Sequence, residues 1–208
     1  MRLQRAIYIL AFLLTASTAG AQVNIYVGGN LQGNYSWIRS DETSFKPGFG
    51  GGFSFVYWEY EYWFIKAGID YHYKASSSYE YPEIYGVTDY GVDDKMNIDI
   101  NEQLVGIPLT VYFRPYESGE NAMLVTASLE TMFTAHLKTN SEEYGEMVLK
   151  GTEIKSRTRT NLGVGVGYQR ELDRHTFLNI YPSFNMDLRA HRPFNTINLT
   201  VELLFGVY

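Results

Sequence analysis

The chain contains no cysteine among its 208 residues. Disulfides, thiolate metal sites and cysteine nucleophiles are therefore excluded, and so is a lipid anchor attached to a cysteine. Basic residues are also scarce, since 17 Lys and Arg stand against 23 Asp and Glu. The resulting net charge of −6 argues against a nucleic-acid partner, which would need a basic surface.

Long apolar runs are missing too, apart from one near the N-terminus. Residues 7–14 read IYILAFLL, follow two arginines, and precede a small-x-small cleavage site that ends at Ala21. This order predicts a secretory signal peptide over residues 1–21, which leaves residues 22–208 as one domain. The alternative is a buried N-terminal helix. No later apolar run is long enough for a membrane-spanning helix.

What the chain does have is aromatic residues and a period of two. It contains 18 Tyr, 12 Phe and 3 Trp. From Val23 onward, eight segments of roughly ten to fourteen residues alternate apolar and polar side chains, as β-strands do. Strands of soluble proteins average about five or six residues, whereas a tilted strand needs about nine to eleven to cross a bilayer. The pattern predicts an all-β fold, an eight-stranded antiparallel up-and-down transmembrane β-barrel.

Charged side chains within these segments all fall on the polar set of alternate positions. They are Lys66, Asp70, Glu102, Glu130, Arg157, Arg159, Asp187 and Glu202. A Lys or Arg facing hydrocarbon at the bilayer midplane costs about 2–4 kcal/mol, which explains their exclusion from the apolar set. A soluble barrel would carry its charges outward instead. We therefore expect a charge network that plugs the lumen, with a proton or ion path as the alternative.

Connections between the segments alternate in length and predict the orientation. Mostly long gaps, such as 36–46 and 75–101, alternate with shorter ones, such as 59–62 and 169–176. Outer-membrane barrels have long extracellular loops and short periplasmic turns. An even strand count then places both termini on the periplasmic side, where a signal peptide delivers the chain.

Aromatic residues concentrate near the ends of the segments, where we expect them at the membrane interfaces. Aromatic rings with a polar end prefer that depth of the bilayer, although ordinary β-propensity also enriches strands in them. The predicted interface aromatics are Tyr35, Trp37, Trp58, Trp63, Tyr71, Phe113, Phe133, Tyr168 and Phe205. Tyr112, next to Phe113, is expected to join them.

Several short motifs resemble those of the PorT-like outer-membrane β-barrel family and, more distantly, the eight-stranded OmpA/OmpX-type barrels. They are the signal peptide, the run Glu102–Leu109 (EQLVGIPL), the run Gly163–Tyr168 (GVGVGY) and the terminal Leu204–Tyr208 (LFGVY). The resemblance covers residues 22–208 and implies a Gram-negative outer-membrane location. It also implies that Tyr208 ends the strand that the barrel-assembly machinery reads. It supplies no catalytic residues.

Motifs that carry chemistry are few. No spacing predicts a cofactor or a metal site, and the Gly163, Gly165 and Gly167 series lacks the helix that a nucleotide loop requires. His72 and His136 fall on the polar set near the outer rim. His136 with Ser141 or Glu143 would be the pair of a rim-sited hydrolase or acyltransferase, which is the enzymatic alternative.

The second long connection is the best candidate for an external contact. It carries Tyr79, Tyr81, Tyr85 and Tyr90 among carboxylates, and exposed aromatic residues are typical of binding surfaces. We therefore expect a non-enzymatic outer-membrane barrel with a structural or surface-contact role. Its partners would be outer-membrane lipid, the assembly machinery and an unidentified extracellular ligand. A narrow small-solute channel is the third hypothesis.

Overall fold

The computed structural model describes residues 24–38, 43–60, 62–80, 96–141, 145–150, 158–188 and 194–207. The strands are β1 (Asn24–Ile38), β2 (Thr43–Tyr60), β3 (Trp63–Glu80), β4 (Met96–Ser118), β5 (Asn121–Ser141), β6 (Gly145–Lys150), β7 (Thr158–Asp173), β8 (Thr176–Asp187) and β9 (Phe194–Val207). Within these ranges, no helix is both long and apolar enough to cross a membrane. The predicted signal peptide lies outside them.

Eight of the strands form a closed antiparallel barrel, as predicted. The order is β4-β3-β2-β1-β9-β8-β7-β5, and pairing between β4 and β5 closes the ring. The first and last strands pair from Ile25 with Val207 to Ile38 with Phe194. The short strand β6 adds to the extension of β5 beyond the ring, from Ser141 to His136. Closure matters because it leaves no strand edge of the ring unpaired.

The two ends of the barrel differ in their connections. At one end, which we name the turn end, β4 joins β5 through the two residues Gly119 and Glu120. Gly119 has a φ of 60°, which glycine adopts without a steric cost. The β2–β3 and β7–β8 turns, the start of β1 and the end of β9 lie here as well. The other end, which we name the loop end, carries the longer connections, including residues 81–95.

Side chains along the strands alternate between an exposed apolar surface and an interior that is polar at most positions. Outward residues are large and apolar, for example Leu31 at 74% exposure, Phe53 at 79% and Val164 at 62%. Asn, Ser, Thr and charged residues dominate the buried positions between them. This inverted arrangement suits a barrel with lipid outside, since hydrocarbon solvates the apolar side chains.

Several strands are longer than the ten to fourteen residues that the sequence pattern indicated. β4 has 23 residues and β5 has 21, so only two residues connect them. The pairing of β4 with β5 also shifts register between Gln103 and Leu104, with Ala135 as the extra residue. Such a bulge exchanges the faces of the residues beyond it.

Candidate functional site in the lumen

An aromatic plug fills the lumen near the turn end. We use this name for the buried cluster Tyr26, Val56, Trp58, Phe64, Tyr112, Leu124, Phe177, Tyr181 and Leu204. Phe64 stacks between Trp58, at a centroid distance of 4.6 Å, and Tyr112, at 4.5 Å with an interplanar angle of 9°. The guanidinium of Arg114 covers Trp58 at 4.7 Å from the ring centroid. These side chains therefore pack against one another across the lumen near the turn end.

The plug corrects two predictions about interface aromatics. Trp58 is only 8% exposed and Tyr112 is fully buried, and both face the lumen rather than the membrane interface. Trp58 lies directly across from Asn24 on β1, two residues beyond the buried Val56. Its position in a crowded aromatic turn suggested a girdle, whereas the alternation of β2 turns it inward.

A buried carboxylate with four donors lies just above the plug. The two oxygens of Glu202 accept hydrogen bonds from Lys66 Nζ (2.8 Å), Ser54 Oγ (3.3 Å), Asn179 Nδ2 (2.9 Å) and Tyr112 OH (3.1 Å). Glu202 is fully buried and Lys66 is 3% exposed. Full hydrogen bonding by opposite charge and neutral donors is what allows a charge to persist at this depth.

The middle of the lumen contains an acidic pair around a histidine. His72 Nε2 lies 2.7 Å from Glu130 Oε1. Asp70 accepts hydrogen bonds from Asn30 Nδ2 at 3.0 Å and from Gln32 Nε2 at 3.3 Å. All three ionisable side chains are buried, and one donor atom from each lies within 4.8 Å of the others. Their donor types can bind a cation.

A small polar cavity adjoins this group. Its volume is about 40 Å³, and its walls include Lys66, Asp70, His72, Glu130 and Tyr181. An internal water needs about 10–15 Å³ by this measure, so the cavity has room for about three. The middle of the lumen is therefore polar and hydratable.

A layer of charges lies closer to the loop end. Arg159 donates a hydrogen bond to Glu102, and its Nη1 lies 3.7 Å from Asp187 Oδ2. Lys74 is 2% exposed in the same region. Lys74 was not among the predicted lumen charges, although it continues the alternation of Lys66, Asp70 and His72 by one step.

The structure thus places seven of the eight predicted lumen charges inside the barrel. Each is at most 7% exposed. They are Lys66, Asp70, Glu102, Glu130, Arg159, Asp187 and Glu202. Arg157 lies outside the described residues. The contacts above arrange them as a Lys66–Glu202 group, a central group around His72 and an Arg159 group.

The remaining predicted interface aromatics lie on or near the outer surface. Six are exposed by 39–57%, namely Tyr35, Tyr71, Phe113, Phe133, Tyr168 and Phe205. Trp37 and Trp63 are half-buried, and Trp37 packs on Phe45 at a centroid distance of 4.9 Å. Tyr208 lies outside the described residues.

The bulge at Ala135 moves His136 away from the lumen. His136 pairs with the outward residue Gln103, whereas its neighbour Leu137 is buried and pairs with Glu102. The prediction that His136 faces inward is therefore wrong. Ser141 lies five residues further along β5, about 17 Å away at about 3.4 Å per residue. The two side chains do not form a catalytic pair, and Glu143 lies outside the described residues.

The candidate contact loop is mostly beyond the described residues. Tyr79 belongs to β3 and pairs with Asn97 of β4. Tyr81, Tyr85 and Tyr90 fall in the segment 81–95, which the structure does not describe. The contact role of these tyrosines stays a prediction.

Closed topology, an apolar outer surface and a charged interior define the protein as a transmembrane β-barrel. The model of the outer membrane protein β-barrel domain family matches residues 6–199, and the chain belongs to that family. It is an outer-membrane protein of a Gram-negative bacterium. No curated protein sequence matches the chain.

Solved structures of outer-membrane barrels resemble the chain in fold. Neisserial surface protein A (NspA) is 14% identical, with 88% of this chain and 97% of that chain covered and a TM-score of 0.55. Ail, the attachment invasion locus protein of Yersinia pestis, is 13% identical, with 86% and 98% covered and a TM-score of 0.43. The outer membrane protease OmpT from Escherichia coli is 8% identical, with 91% and 100% covered and a TM-score of 0.43. At such identities, the likeness to NspA shows a shared fold alone.

Proposed function

We propose that this protein is a non-enzymatic outer-membrane barrel with a closed lumen, whose role is structural or depends on contacts made by its external loops. The observation that carries this proposal is the filling of the lumen from the aromatic plug to the Arg159 group. The motifs Glu102–Leu109 and Leu204–Tyr208 further support placing it in the PorT-like branch of its family.

Successive layers of buried side chains support a closed lumen. Phe64 and Tyr112 in the plug are completely buried, and so is Glu202 in the layer above. The cavity beyond Glu202 has room for about three waters rather than for a continuous water column. Eight-stranded barrels have interiors just wide enough for side chains to fill. A channel would require the plug and the Glu202 layer to move together.

Conductance measurements test this part of the proposal. Purified protein, shown to be folded by its heat-modifiable gel mobility, is added to planar lipid bilayers. We expect no stable conductance steps, because the plug blocks ion movement. The matched variant Phe64→Ala/Tyr112→Ala removes two stacked rings. We expect any ion conductance to be larger in this variant than in the wild type. Stable steps of one size from the folded wild type would contradict the closed lumen and favour the channel hypothesis.

The two ends of the barrel differ in the length of their connections, and this difference supports the contact role. The turn end has two-residue connections, whereas the loop end carries long segments, including residues 81–95. Loops on a rigid scaffold are common sites of binding, and this segment concentrates three tyrosines. Adhesion of cells displaying the wild type to a panel of immobilised extracellular proteins tests the role. We expect Tyr81→Ser/Tyr85→Ser/Tyr90→Ser to reduce adhesion, and identical adhesion of wild type and variant across the panel would contradict it.

The side chains of His136 and Ser141 point to different surroundings on β5, and this supports the proposal that the protein is not an enzyme. Lipid and peptide turnover by the wild type, His136→Ala and Ser141→Ala tests it. We expect no turnover above a protein-free control in any of them. Turnover that both substitutions abolish would favour the enzymatic alternative.

A further inference from the structure

We propose that the lumen binds one divalent transition-metal ion of the zinc class between Asp70, His72 and Glu130. The site is independent of what the external loops contact. Its donors are one imidazole nitrogen and two carboxylate oxygens, a set that suits zinc better than magnesium or calcium, which take oxygen ligands. The residues come from β3 and β5, which are not neighbours in sequence or in the sheet, so no local motif reveals them.

The distances between the donor atoms fit a single ion. His72 Nε2 and Glu130 Oε1 are 2.7 Å apart, and all three donor atoms lie within 4.8 Å of one another. Two ligands of a tetrahedral zinc ion stand about 3.4 Å apart, since each bond is about 2.1 Å. Small rotations of the side-chain ends close the site, and the ion replaces the hydrogen bond between His72 and Glu130.

Three glycines make the room that these side chains occupy. A Cβ at Gly52 would collide with Asp70 Oδ1, and one at Gly106 would collide with Glu130 Oε1 and lie 3.2 Å from His72 Nε2. A Cβ at Gly50 would lie 3.1 Å from His72 Nδ1. Each donor side chain therefore has its own glycine on a neighbouring strand.

Asp70 is also held in place by neutral donors. Asn30 and Gln32, successive inward residues of β1, donate one hydrogen bond to each of its oxygens. Ligating carboxylates are commonly oriented by such outer hydrogen bonds, which leave a lone pair on each oxygen for the metal. The adjoining cavity, with space for about three waters, supplies the remaining ligands of the ion.

The charge of the lumen favours a divalent cation. Among the described residues, five buried carboxylates (Asp70, Glu102, Glu130, Asp187 and Glu202) accompany four buried cations (Lys66, Lys74, Arg114 and Arg159). Counting His72 as uncharged, their formal sum is −5 + 4 = −1. Ion pairs within 4.0 Å join Lys66 to Glu202, and Arg159 to Glu102 and Asp187. Asp70 and Glu130 lie outside these pairs, so a divalent ion at their position offsets the excess negative charge of the lumen where two carboxylates meet.

Cobalt binding to the tag-free protein tests the site. The protein is treated with chelator, unfolded in urea and refolded in detergent with Co²⁺, so that entry through a closed lumen is not required. We expect one Co²⁺ per barrel, visible by its ligand-field absorption, displaced by Zn²⁺ but not by Ca²⁺. The near-isosteric variants Asp70→Asn, His72→Gln and Glu130→Gln should each bind at least about 10-fold more weakly.

His175→Gln is the matched control, because it removes an exposed histidine from the β7–β8 turn and should leave binding unchanged. Gel mobility establishes that each variant is folded, and any one folded ligand variant suffices for the comparison. Zn²⁺ should also raise the urea midpoint of the wild type and not that of the ligand variants. Absence of binding to the wild type would overturn the proposal. So would equal binding by His72→Gln, or loss of binding in His175→Gln.

Discussion

Lys66 Nζ lies 2.8 Å from Glu202 Oε1, and the two side chains are 4% and 0% exposed. Lys66 is on β3 and Glu202 is on β9, with β2 and β1 between them in the sheet. The ion pair therefore ties strands that are far apart on the barrel wall, directly through the lumen. Its strength depends on the mutual compensation of two charges that are both removed from water.

Removing one partner of this pair should be costly. Lys66→Met leaves the Glu202 carboxylate buried with Tyr112, Asn179 and Ser54 as its neutral donors, and we expect a loss of about 3–5 kcal/mol in unfolding free energy. Urea titration in lipid vesicles, followed by gel mobility, measures it. The double variant Lys66→Met/Glu202→Gln should recover much of this loss, because it removes the uncompensated charge.

The exposed pair Lys46–Asp99 is the control for that prediction. Its atoms are closer, at 2.6 Å, but the side chains are 32% and 48% exposed. Water screens such a pair, so we expect Lys46→Met to cost less than about 1 kcal/mol. Equal losses in Lys66→Met and Lys46→Met would contradict a dry lumen at Glu202.

Stacking within the aromatic plug should also contribute to stability. Phe64→Leu keeps an apolar side chain of similar bulk but removes stacks on both Trp58 and Tyr112. Each aromatic pair contributes about 0.5–1.5 kcal/mol beyond its burial, so we expect a loss of about 1–3 kcal/mol. Phe53→Leu on the outer surface should change the unfolding free energy by less than about 0.5 kcal/mol, since lipid fits around either side chain. A larger loss of unfolding free energy in Phe53→Leu than in Phe64→Leu would mean that stacking in the plug does not stabilise the barrel.

Alternation along the chain predicted most of the fold and much of the lumen. A period of two assigns each residue of a strand to a face, and the physical cost of a charge in hydrocarbon assigns the charged face to the interior. That reasoning found Lys66, Asp70, Glu130 and Glu202. It did not find their partners, because Asn30 and Tyr112 reach them from other strands. The pattern of one segment does not determine which residues of different strands meet across the lumen.

The errors have local physical causes. Ala135 inserts one residue into β5, so the face of His136 changes with no sign in the alternation before it. Trp58 was grouped with its aromatic neighbours at a turn, although the alternation from Val56 turns it inward. The predicted gap over 75–101 is too long because the serines at 76–78 resemble a loop, yet they belong to β3 and pair with residues 98–100 at the start of β4.

Close approach of backbone strands in the lumen makes glycine necessary at defined positions. A Cβ at Gly28 would collide with the backbone carbonyl oxygen of Leu203 and with Leu204 Cδ2, whereas a Cβ at Gly33 would meet nothing within 4 Å. We therefore expect Gly28→Ala to lose about 1–3 kcal/mol or more. Gly33→Ala on the same strand should be neutral or gain about 0.4–1 kcal/mol, since it restricts the unfolded chain. Urea titration of both variants checks the contrast, and equal behaviour would contradict the register of β1 with β9.

Arginine substitutions along β7 test the depth at which its outward residues lie in the bilayer. Val164 and Leu172 face outward at 62% and 52% exposure, and Leu172 lies beside the native, exposed Arg170 near the turn end. Val164→Arg places a charge near the bilayer midplane, where it should cost about 2–4 kcal/mol, whereas Leu172→Arg near the interface should cost about 0–1 kcal/mol. Unfolding in vesicles should separate the two variants, and unfolding in detergent should narrow the gap, because a micelle deforms around the charge. Equal costs in vesicles would mean that Val164 does not lie at the membrane midplane.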